Sequence, residues 1–202
     1  MYNSSTHEGN TQTNKQLIIG FIGPKGSGKD YAYSILFKHF NNVDRVAFAD
    51  PIKNTICELF SLQPEQLELI KRCPQIDFIN HETNNCYGSC TGRDFVRNIG
   101  MLMRNYDDQQ FNRYVEDKIK DNPNVNWVVT DVRFPNEVEL IKRLGGVLIE
   151  INREGYTYDQ HITESGKLPH DYLVDNDENF EDNLVKLINQ LMEEKDGNMG
   201  TC

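Results

Sequence analysis

The chain has no hydrophobic run of membrane-spanning length, no internal repeat and no regular spacing of its cysteines. A transmembrane helix is therefore not expected, since it needs about 20 consecutive apolar residues. Five cysteines (Cys57, Cys73, Cys86, Cys90 and Cys202) are an odd number without a tight framework, which argues against a disulfide-stapled secreted domain. No secretory signal is apparent at the start. We therefore expect a protein of a reducing, cytoplasmic compartment.

Positive charge is also scarce. The 202 residues include 21 Lys and Arg against 31 Asp and Glu, giving a formal net charge of -10. This balance disfavours nucleic acid polymers and anionic membranes as partners, because both are negatively charged. Small phosphorylated molecules remain open, since they need only a local cluster of Arg and Lys. The length suits one domain, which we predict at residues 16–195 between polar, disordered tails at 1–15 and 196–202.

The most informative stretch is GPKGSGKD at residues 23–30. An apolar segment before it predicts a buried strand, and helically spaced apolar residues after it predict a helix from about Lys29. A strand, a glycine-rich turn and a helix form the context of a phosphate-binding loop, in which backbone N–H groups and a lysine surround the phosphates. We assign these residues to ATP binding: Gly23, Gly26, Ser27, Gly28, Lys29 and Asp30.

Asp30 departs from the usual loop, which has Ser or Thr after the lysine to ligate magnesium. A carboxylate here can bind Mg²⁺ directly or through water, or it can simply complement the positive end of the helix. The sequence leaves both interpretations open.

Strand and helix patterns alternate along most of the chain. The alternation predicts an α/β fold of three layers, α/β/α, with a five-stranded parallel sheet. Strands are expected at 16–22, 43–49, 127–131, 147–151 and 171–174. The stretch 61–121 has helical spacing but no convincing strand, and we predict that it is a helical insertion that binds the substrate. Residues 154–170 are polar and contain glycine, which predicts a lid-like segment.

Polar residues at a predicted strand end add a candidate catalytic site. Asp131 ends the third strand and Arg133 follows it, at the edge where ligands bind in open α/β sheets. We predict that Asp131, with Asp30, coordinates Mg²⁺ and that Arg133 contacts a bound ligand. An ordinary strand-end aspartate and a solvated arginine are the alternatives.

Three arginines lie on one predicted helix. Arg93, Arg97 and Arg104 are spaced by four and then seven residues, so they share one side of a continuous helix. Such a face suits bidentate contacts with phosphate, although a solvated face explains it equally well. Lys53, close after Asp50 at the end of the second strand, is a further candidate for the acceptor phosphate.

These motifs, in this order, resemble the bacteriophage-type deoxynucleoside monophosphate kinases, a branch of the P-loop nucleoside monophosphate kinase fold. The similar segments are GPKGSGKD, AFADPIK, GRDFVRNIG, DVRFPNEVELIKRLGG and HITESGKLPHDYLVDND. The resemblance implies ATP as donor, a deoxynucleoside monophosphate (dTMP, dGMP or a modified dCMP) as acceptor, a homodimer and, for a virus, the host-cell cytoplasm. We assign catalysis to Lys29, Asp131 and Arg133. Substrate binding is assigned to Asp50, Lys53, Arg93, Arg97, Asn136 and Glu137.

Two features depart from the family pattern. Gly100 is followed by Met101 and Leu102 instead of a polar pair, and the stretch 61–91 matches poorly. Base selection and the contacts of the insertion therefore do not carry over from the resemblance.

Other functions share parts of this pattern. A kinase of another small metabolite, similar to dephospho-coenzyme A kinase, would keep the loop and the fold. A non-catalytic nucleotide-binding module would keep the loop but need no acceptor arginines. A zinc ion could also hold the insertion together through Cys73, His81, Cys86 and Cys90, although their spacing matches no standard zinc motif.

Overall fold

A computed structural model describes residues 16–80, 82–158 and 168–197. In chain order the elements are β1 (Ile18–Ile22), α1 (Lys29–His39), β2 (Val43–Val46), α2 (Asp50–Leu59), α3 (Pro64–Ile70), β3 (Ile76–Ile79), β4 (Cys86–Cys90), α4 (Gly92–Tyr106), α5 (Gln110–Lys120), β5 (Asn126–Val129), α6 (Pro135–Arg143), β6 (Val147–Asn152), β7 (Tyr172–Asp175) and α7 (Phe180–Gly197). Within these ranges, no helix combines the length and apolarity needed to cross a membrane.

The main sheet has five parallel strands in the order β2-β5-β1-β6-β7, which confirms the predicted sheet. β1 lies at the centre, and all of its residues are buried. This explains why β1 is a continuous apolar run in the sequence, since helices cover both of its faces. Because the strands are parallel, their carboxyl ends meet at one edge, where the glycine-rich loop begins.

Helices cover both faces of the sheet and give the predicted α/β/α layers. On one face, α1 and α7 contribute Ala32, Leu36 and Leu184 to a core with Val128. On the other, α2, α5 and α6 pack around Trp127, and α4 adds half-buried apolar side chains. Trp127 and Val128 are adjacent in β5 and enter opposite cores, as the alternation of a strand requires.

The predicted absence of strands in residues 61–121 is wrong. β3 and β4 form an antiparallel hairpin with an irregularity between Phe78 and Ile79. Most of its residues are exposed, so it lacks the alternation of apolar and polar residues that identifies a half-buried strand. Backbone pairing and local hydrogen bonds form it instead, including Asn80 N to the Asn85 carbonyl at 2.9 Å.

Several predicted segments fall partly outside the described residues. α7 continues to Gly197, two residues into the predicted tail at 196–202. The remainder of that tail, the tail at 1–15 and residues 159–167 of the lid-like segment lie outside the described ranges. The lid and the single-domain boundaries therefore stay predictions.

Candidate active site

The segment between β1 and α1 is a tight loop that depends on glycine. Gly23, Gly26 and Gly28 have φ values of 143°, 83° and 109°, which side chains rarely adopt. A Cβ on Gly23 would lie 2.4 Å from the Ile151 carbonyl oxygen, and one on Gly28 would lie 2.2 Å from Nδ2 of Asn176. A side chain at Gly23 is therefore excluded on steric as well as conformational grounds. A side chain at Gly28 would strain the backbone and displace the Asn176 amide.

Lys29 folds over the loop that precedes it. Its Nζ donates to the carbonyl oxygens of Gly23 at 2.6 Å and Pro24 at 2.8 Å. α1 begins at Lys29, so the positive end of the helix and the ammonium meet at the same loop. Asp30, the next residue, is exposed in the first turn of α1.

Three residues that the sequence did not single out lie against this loop. Asn176, directly after β7, donates from Nδ2 to the Ser27 carbonyl at 2.7 Å. Cε1 of Tyr156 would be 2.5 Å from a Cβ on Gly26, and the Arg153 guanidinium lies 4.8 Å from the centroid of the Tyr156 ring. Asn176 had a signal in the sequence, its place at the carboxyl end of a predicted strand, and Tyr156 lies in the predicted lid-like segment 154–170, whereas Arg153 had none.

Asp131 lies beside the start of the loop and joins two strand ends. The neighbouring Val132 donates its N–H to the Phe21 carbonyl of β1 at 3.3 Å. The Asp131 carboxylate accepts the N–H of Phe48 at 2.8 Å and that of Ala49 at 3.0 Å, one on each oxygen. It therefore fastens the β2–α2 connection to the end of β5. Each oxygen keeps a second lone pair for another ligand.

Asp50, the first residue of α2, also stabilises the β2–α2 connection. Its Oδ2 accepts the N–H of Ala47 at 2.8 Å. Its Oδ1 lies 3.2 Å from Nη2 of Arg45 and 3.8 Å from Nζ of Lys53. The side chain of Lys53 is 32% exposed, so its ammonium remains accessible while Asp50 limits where it can lie.

α4 packs closely on α2 and carries the predicted acceptor arginines. A Cβ on Gly100 would lie 2.8 Å from Cδ1 of Ile52, which shows how close the two helices are. Arg97 is 17% exposed, with its Nη1 3.8 Å from Oδ1 of Asp94. Arg93, one turn earlier, is half-buried near the start of the helix.

Arg104 differs from the other two arginines because it is held inside the fold. Its Nη2 donates to Oε1 of Glu137 at 2.7 Å, and its side chain is 14% exposed. The guanidinium lies 4.1 Å from the ring centroid of Phe134 and 4.6 Å from that of Phe111. The three arginines are therefore regularly spaced along α4, but Arg104 lies in a different environment from Arg93 and Arg97.

The structure corrects the role assigned to Glu137. A side chain that is 1% exposed cannot present its carboxylate to a substrate. Oε2 instead accepts the backbone N–H of Arg133 at 2.7 Å and of Phe134 at 3.1 Å. Burial, followed by the negative charge of Asp131, raises the pKa of Glu137 to about 7, against the opposing charge of Arg104.

Asn136 is also engaged with the protein, although closer to the surface. Its Nδ2 donates to the Asp108 carbonyl at 3.0 Å, and its own carbonyl accepts from Nδ2 of Asn112 at 3.0 Å. These bonds connect the start of α6 to α5 and to the turn before it. A direct contact of Asn136 with substrate stays a prediction.

Sequence comparison agrees with this geometry. The model of the deoxynucleotide monophosphate kinase family matches residues 90–187, from the end of β4 into α7. A protein of Acanthamoeba polyphaga mimivirus, provisionally named a deoxynucleotide monophosphate kinase, is 33% identical over 156 residues, which span 71% of this chain and 77% of that protein. The chain belongs to the deoxynucleotide monophosphate kinase family. The predicted family resemblance is thereby confirmed, and with it a nucleotide kinase that acts as an ATP-dependent phosphotransferase.

Solved structures resemble this deoxynucleotide monophosphate kinase family member only distantly. TT1252 of Thermus thermophilus has a TM-score of 0.48 at 12% identity and covers 89% of this chain and 98% of its own. An APS kinase of Mycobacterium tuberculosis has a TM-score of 0.41 at 10% identity and covers 88% and 97%. These values are too low to add to the assignment, for which the loop, the sheet and the family membership suffice.

The kinase family implies a magnesium ion, for which Asp131 keeps free acceptor capacity on each oxygen and Asp30 is exposed. Mg²⁺ is commonly held by one or two carboxylates together with substrate phosphates. That Asp131 and Asp30 act as these carboxylates stays a prediction. In the described ranges, no group of three or more His, Cys, Asp or Glu side chains is arranged to hold a metal. Cys73, Cys86 and Cys90 therefore form no such group by themselves, and His81 of the zinc hypothesis lies outside the described residues.

Replacing Asp131 with Asn should destabilise the kinase. The amide offers one acceptor where two backbone N–H groups need one each, and its own NH₂ would meet an N–H donor. We expect a loss of about 1–3 kcal/mol in the free energy of unfolding, the usual cost of an unsatisfied buried group, measured by urea denaturation without magnesium. Asp44→Asn, at an exposed strand position, is the matched control. Equal stability of both variants would show that the Asp131 bonds contribute nothing.

Glu137 should make stability depend on pH. Its pKa in the folded protein, about 7, lies above the usual value of about 4.3, so the folded state retains a proton that the unfolded chain releases. The free energy of unfolding should therefore fall as pH rises from about 5 to 7, by at most about 1.4 kcal/mol per pH unit. Glu137→Gln cannot titrate and should remove this slope from urea-unfolding curves in metal-free buffer. Identical slopes would mean that the folded pKa is ordinary.

Proposed function

We propose that the protein transfers the γ-phosphate of ATP to a deoxynucleoside monophosphate, such as dTMP, dGMP or a modified dCMP, to yield the diphosphate. The observation that carries this proposal is the joining of an arginine-bearing helix, α4, to the edge of the sheet that holds the phosphate loop. Gly100 brings α4 against α2, and Arg104 ties it to α6. A module that only bound nucleotide would not need arginines at this place.

The donor side of the site is the loop with Lys29. Its ammonium exchanges the carbonyls of Gly23 and Pro24 for phosphate oxygens, which attract a cation more strongly because they carry full charges. The positive end of α1 acts on the same phosphates. Asp131 and Asp30 would hold Mg²⁺ together with the phosphates, and the ion would neutralise further negative charge there.

The acceptor side is formed by α4 and the start of α2. Arg93 and Arg97 are one helical turn apart, so their guanidinium groups can converge on one phosphate. Lys53 adds a cation whose position Asp50 restricts. Arg133, on the turn between β5 and α6, stabilises the charge on the phosphoryl group as it passes between the two sides. Phosphoryl transfer depends mostly on such positioning and charge stabilisation.

The decisive assay measures phosphate transfer from ATP with magnesium to every deoxy- and ribonucleoside monophosphate, with dephospho-coenzyme A in parallel. We expect turnover with one or more deoxynucleotides and none with dephospho-coenzyme A. Turnover with dephospho-coenzyme A alone would show that the proposed substrate class is wrong. The base preference is left to this assay, because Met101 and Leu102 stand where the family often has a polar pair. The predicted homodimer also stays a prediction.

Lys29→Ala should nearly abolish turnover while the protein stays folded. The variant removes the positive charge that we assign to the donor phosphates, and loss of such a group typically costs about 100- to 1,000-fold in kcat. Steady-state kinetics and the melting temperature test this together. Lys25→Ala, which alters an exposed lysine of the same loop, should remain active. An unchanged kcat for Lys29→Ala would contradict the phosphate-loop assignment.

Arg93→Lys should raise KM for the deoxynucleotide and leave KM for ATP nearly unchanged. Lysine keeps the charge but loses the planar fork, and one lost charge-assisted hydrogen bond costs about 1.5–3 kcal/mol. That corresponds to about 10- to 150-fold in kcat/KM. Two-substrate kinetics would detect the change, with Arg113→Lys, an exposed arginine on α5, as control.

Two outcomes of this comparison would contradict the assignment. A defect in the ATP parameters would move Arg93 to the donor side. If neither parameter changed, the start of α4 would be a solvated face, and Lys53 or Arg133 would have to hold the acceptor phosphate.

A further inference from the structure

We propose that the Arg104–Glu137 pair is a positioning element that sets the acceptor arginines of α4 relative to the turn that carries Arg133. This inference rests on the proposed function for what the two segments do. Its contacts, however, are features of the fold and can be tested without any substrate.

Glu137 is the point at which the two segments meet. Its Oε2 accepts the N–H groups of Arg133 and Phe134, while its Oε1 accepts the Arg104 guanidinium from α4. One carboxylate therefore holds three donors from two different parts of the chain. Because Glu137 is completely buried, water does not offer these donors a ready substitute at that point.

Arg104 is fixed in orientation as well as in distance. The rings of Phe134 and Phe111 lie 4.1 Å and 4.6 Å from its guanidinium carbon. Phe134 belongs to the turn that carries Arg133, and Phe111 belongs to α5. The side chain therefore contacts α5 and the turn before α6 at once, and a rotation of α4 about its axis would break these contacts together.

The arginines of α4 share the same side of the helix as this fixed point. Arg97 precedes Arg104 by seven residues, which places it about 10 Å away along the axis and nearly in line with it. A helix is stiff over this length, so a displacement at Arg104 is carried to Arg97 and Arg93. The same displacement releases the carboxylate that holds the Arg133 backbone. Acceptor arginines and Arg133 are thus positioned through one contact.

Stability alone does not account for a charged pair at this place. Removing two charges from water is costly, and apolar residues of similar size often stabilise a protein as well or better. The nearby carboxylate of Asp131 further disfavours a charged Glu137. A methionine at position 104 could also contact the rings of Phe111 and Phe134. A directional, charge-assisted contact does fix geometry, which apolar packing does less strictly.

The test compares four variants with the wild type: Glu137→Gln, Arg104→Met, Arg104→Lys and the double variant that combines Glu137→Gln with Arg104→Met. Arg113→Met is the matched control, because it removes an arginine ion pair that is exposed on α5. Each protein is assayed with ATP and its best deoxynucleotide, and its melting temperature is recorded. If Glu137→Gln does not fold, the two Arg104 variants carry the test.

We expect kcat/KM for the deoxynucleotide to fall by about 10- to 100-fold, since a misplacement of about 1 Å can cost about 100-fold. KM for ATP should change less than about twofold. Arg104→Lys should recover part of the loss, and the double variant should be no worse than the poorer single variant, because both act through one contact. A lower melting temperature with unchanged kinetics would overturn the proposal, as would a defect confined to KM for ATP.

Amide hydrogen exchange separates this proposal from the proposed function. Arg104→Met leaves Glu137 in place, yet it should speed exchange both in α4 and in residues 131–137, whereas Arg113→Met should not. Faster exchange in α4 alone would show that the pair does not couple the two segments. If the wild type phosphorylates no deoxynucleotide, the proposed function fails, and the exchange experiment still decides whether the pair couples them.

Discussion

The parallel alignment of β2, β5 and β1 is the constraint on which the candidate site depends. Parallel neighbours end at the same edge, so the residues that follow them are brought together however far apart they lie in the chain. Gly20 pairs with Val129. The phosphate loop begins three residues after Gly20, and Asp131 follows two residues after Val129, so both lie just beyond the same edge of the sheet. The pairing of Val46 with Val129 adds the start of α2. Helices on both faces bury the strands and hold this register.

Carboxylates then fasten the connections at this edge by accepting backbone N–H groups. Asp50 holds the N–H of Ala47, Asp131 holds two N–H groups of the β2–α2 connection, and Glu137 holds two of the turn before α6. A carboxylate near a phosphate site costs electrostatic energy, because like charges repel. The site offsets this cost with a helix terminus and with cations, even though the protein as a whole carries a charge of -10. A small anionic substrate responds to that local balance more than to net charge.

Much of the donor side was predictable because it is local. Gly23, Gly28 and Lys29 lie within seven consecutive residues, and their chemistry follows from the turn that those residues must make. The acceptor helix was predictable in outline, since the spacing of Arg93 and Arg97 fixes their common side. The exposed hairpin was missed because it buries little apolar surface, and hydrophobic alternation is the signal from which strands are predicted. Tyr156 lies in the predicted lid-like segment, but its particular contact with Gly26 could not be predicted, because it joins residues 130 positions apart.

By itself the sequence determined the fold class, the phosphate loop and the kinase family, because each depends on short-range spacing or on motifs in a given order. The tertiary structure alone decided what individual carboxylates do. Asp131 and Glu137 belong to one motif and look alike in sequence, yet one lies half-buried beside the loop and the other is completely buried under Arg104 and two backbone N–H groups. Burial and hydrogen-bond partners come from segments distant in the chain, and they set both the accessibility and the pKa of a carboxylate. The residue type therefore determines which chemistry a side chain can perform, whereas packing determines whether that side chain faces a substrate or the protein.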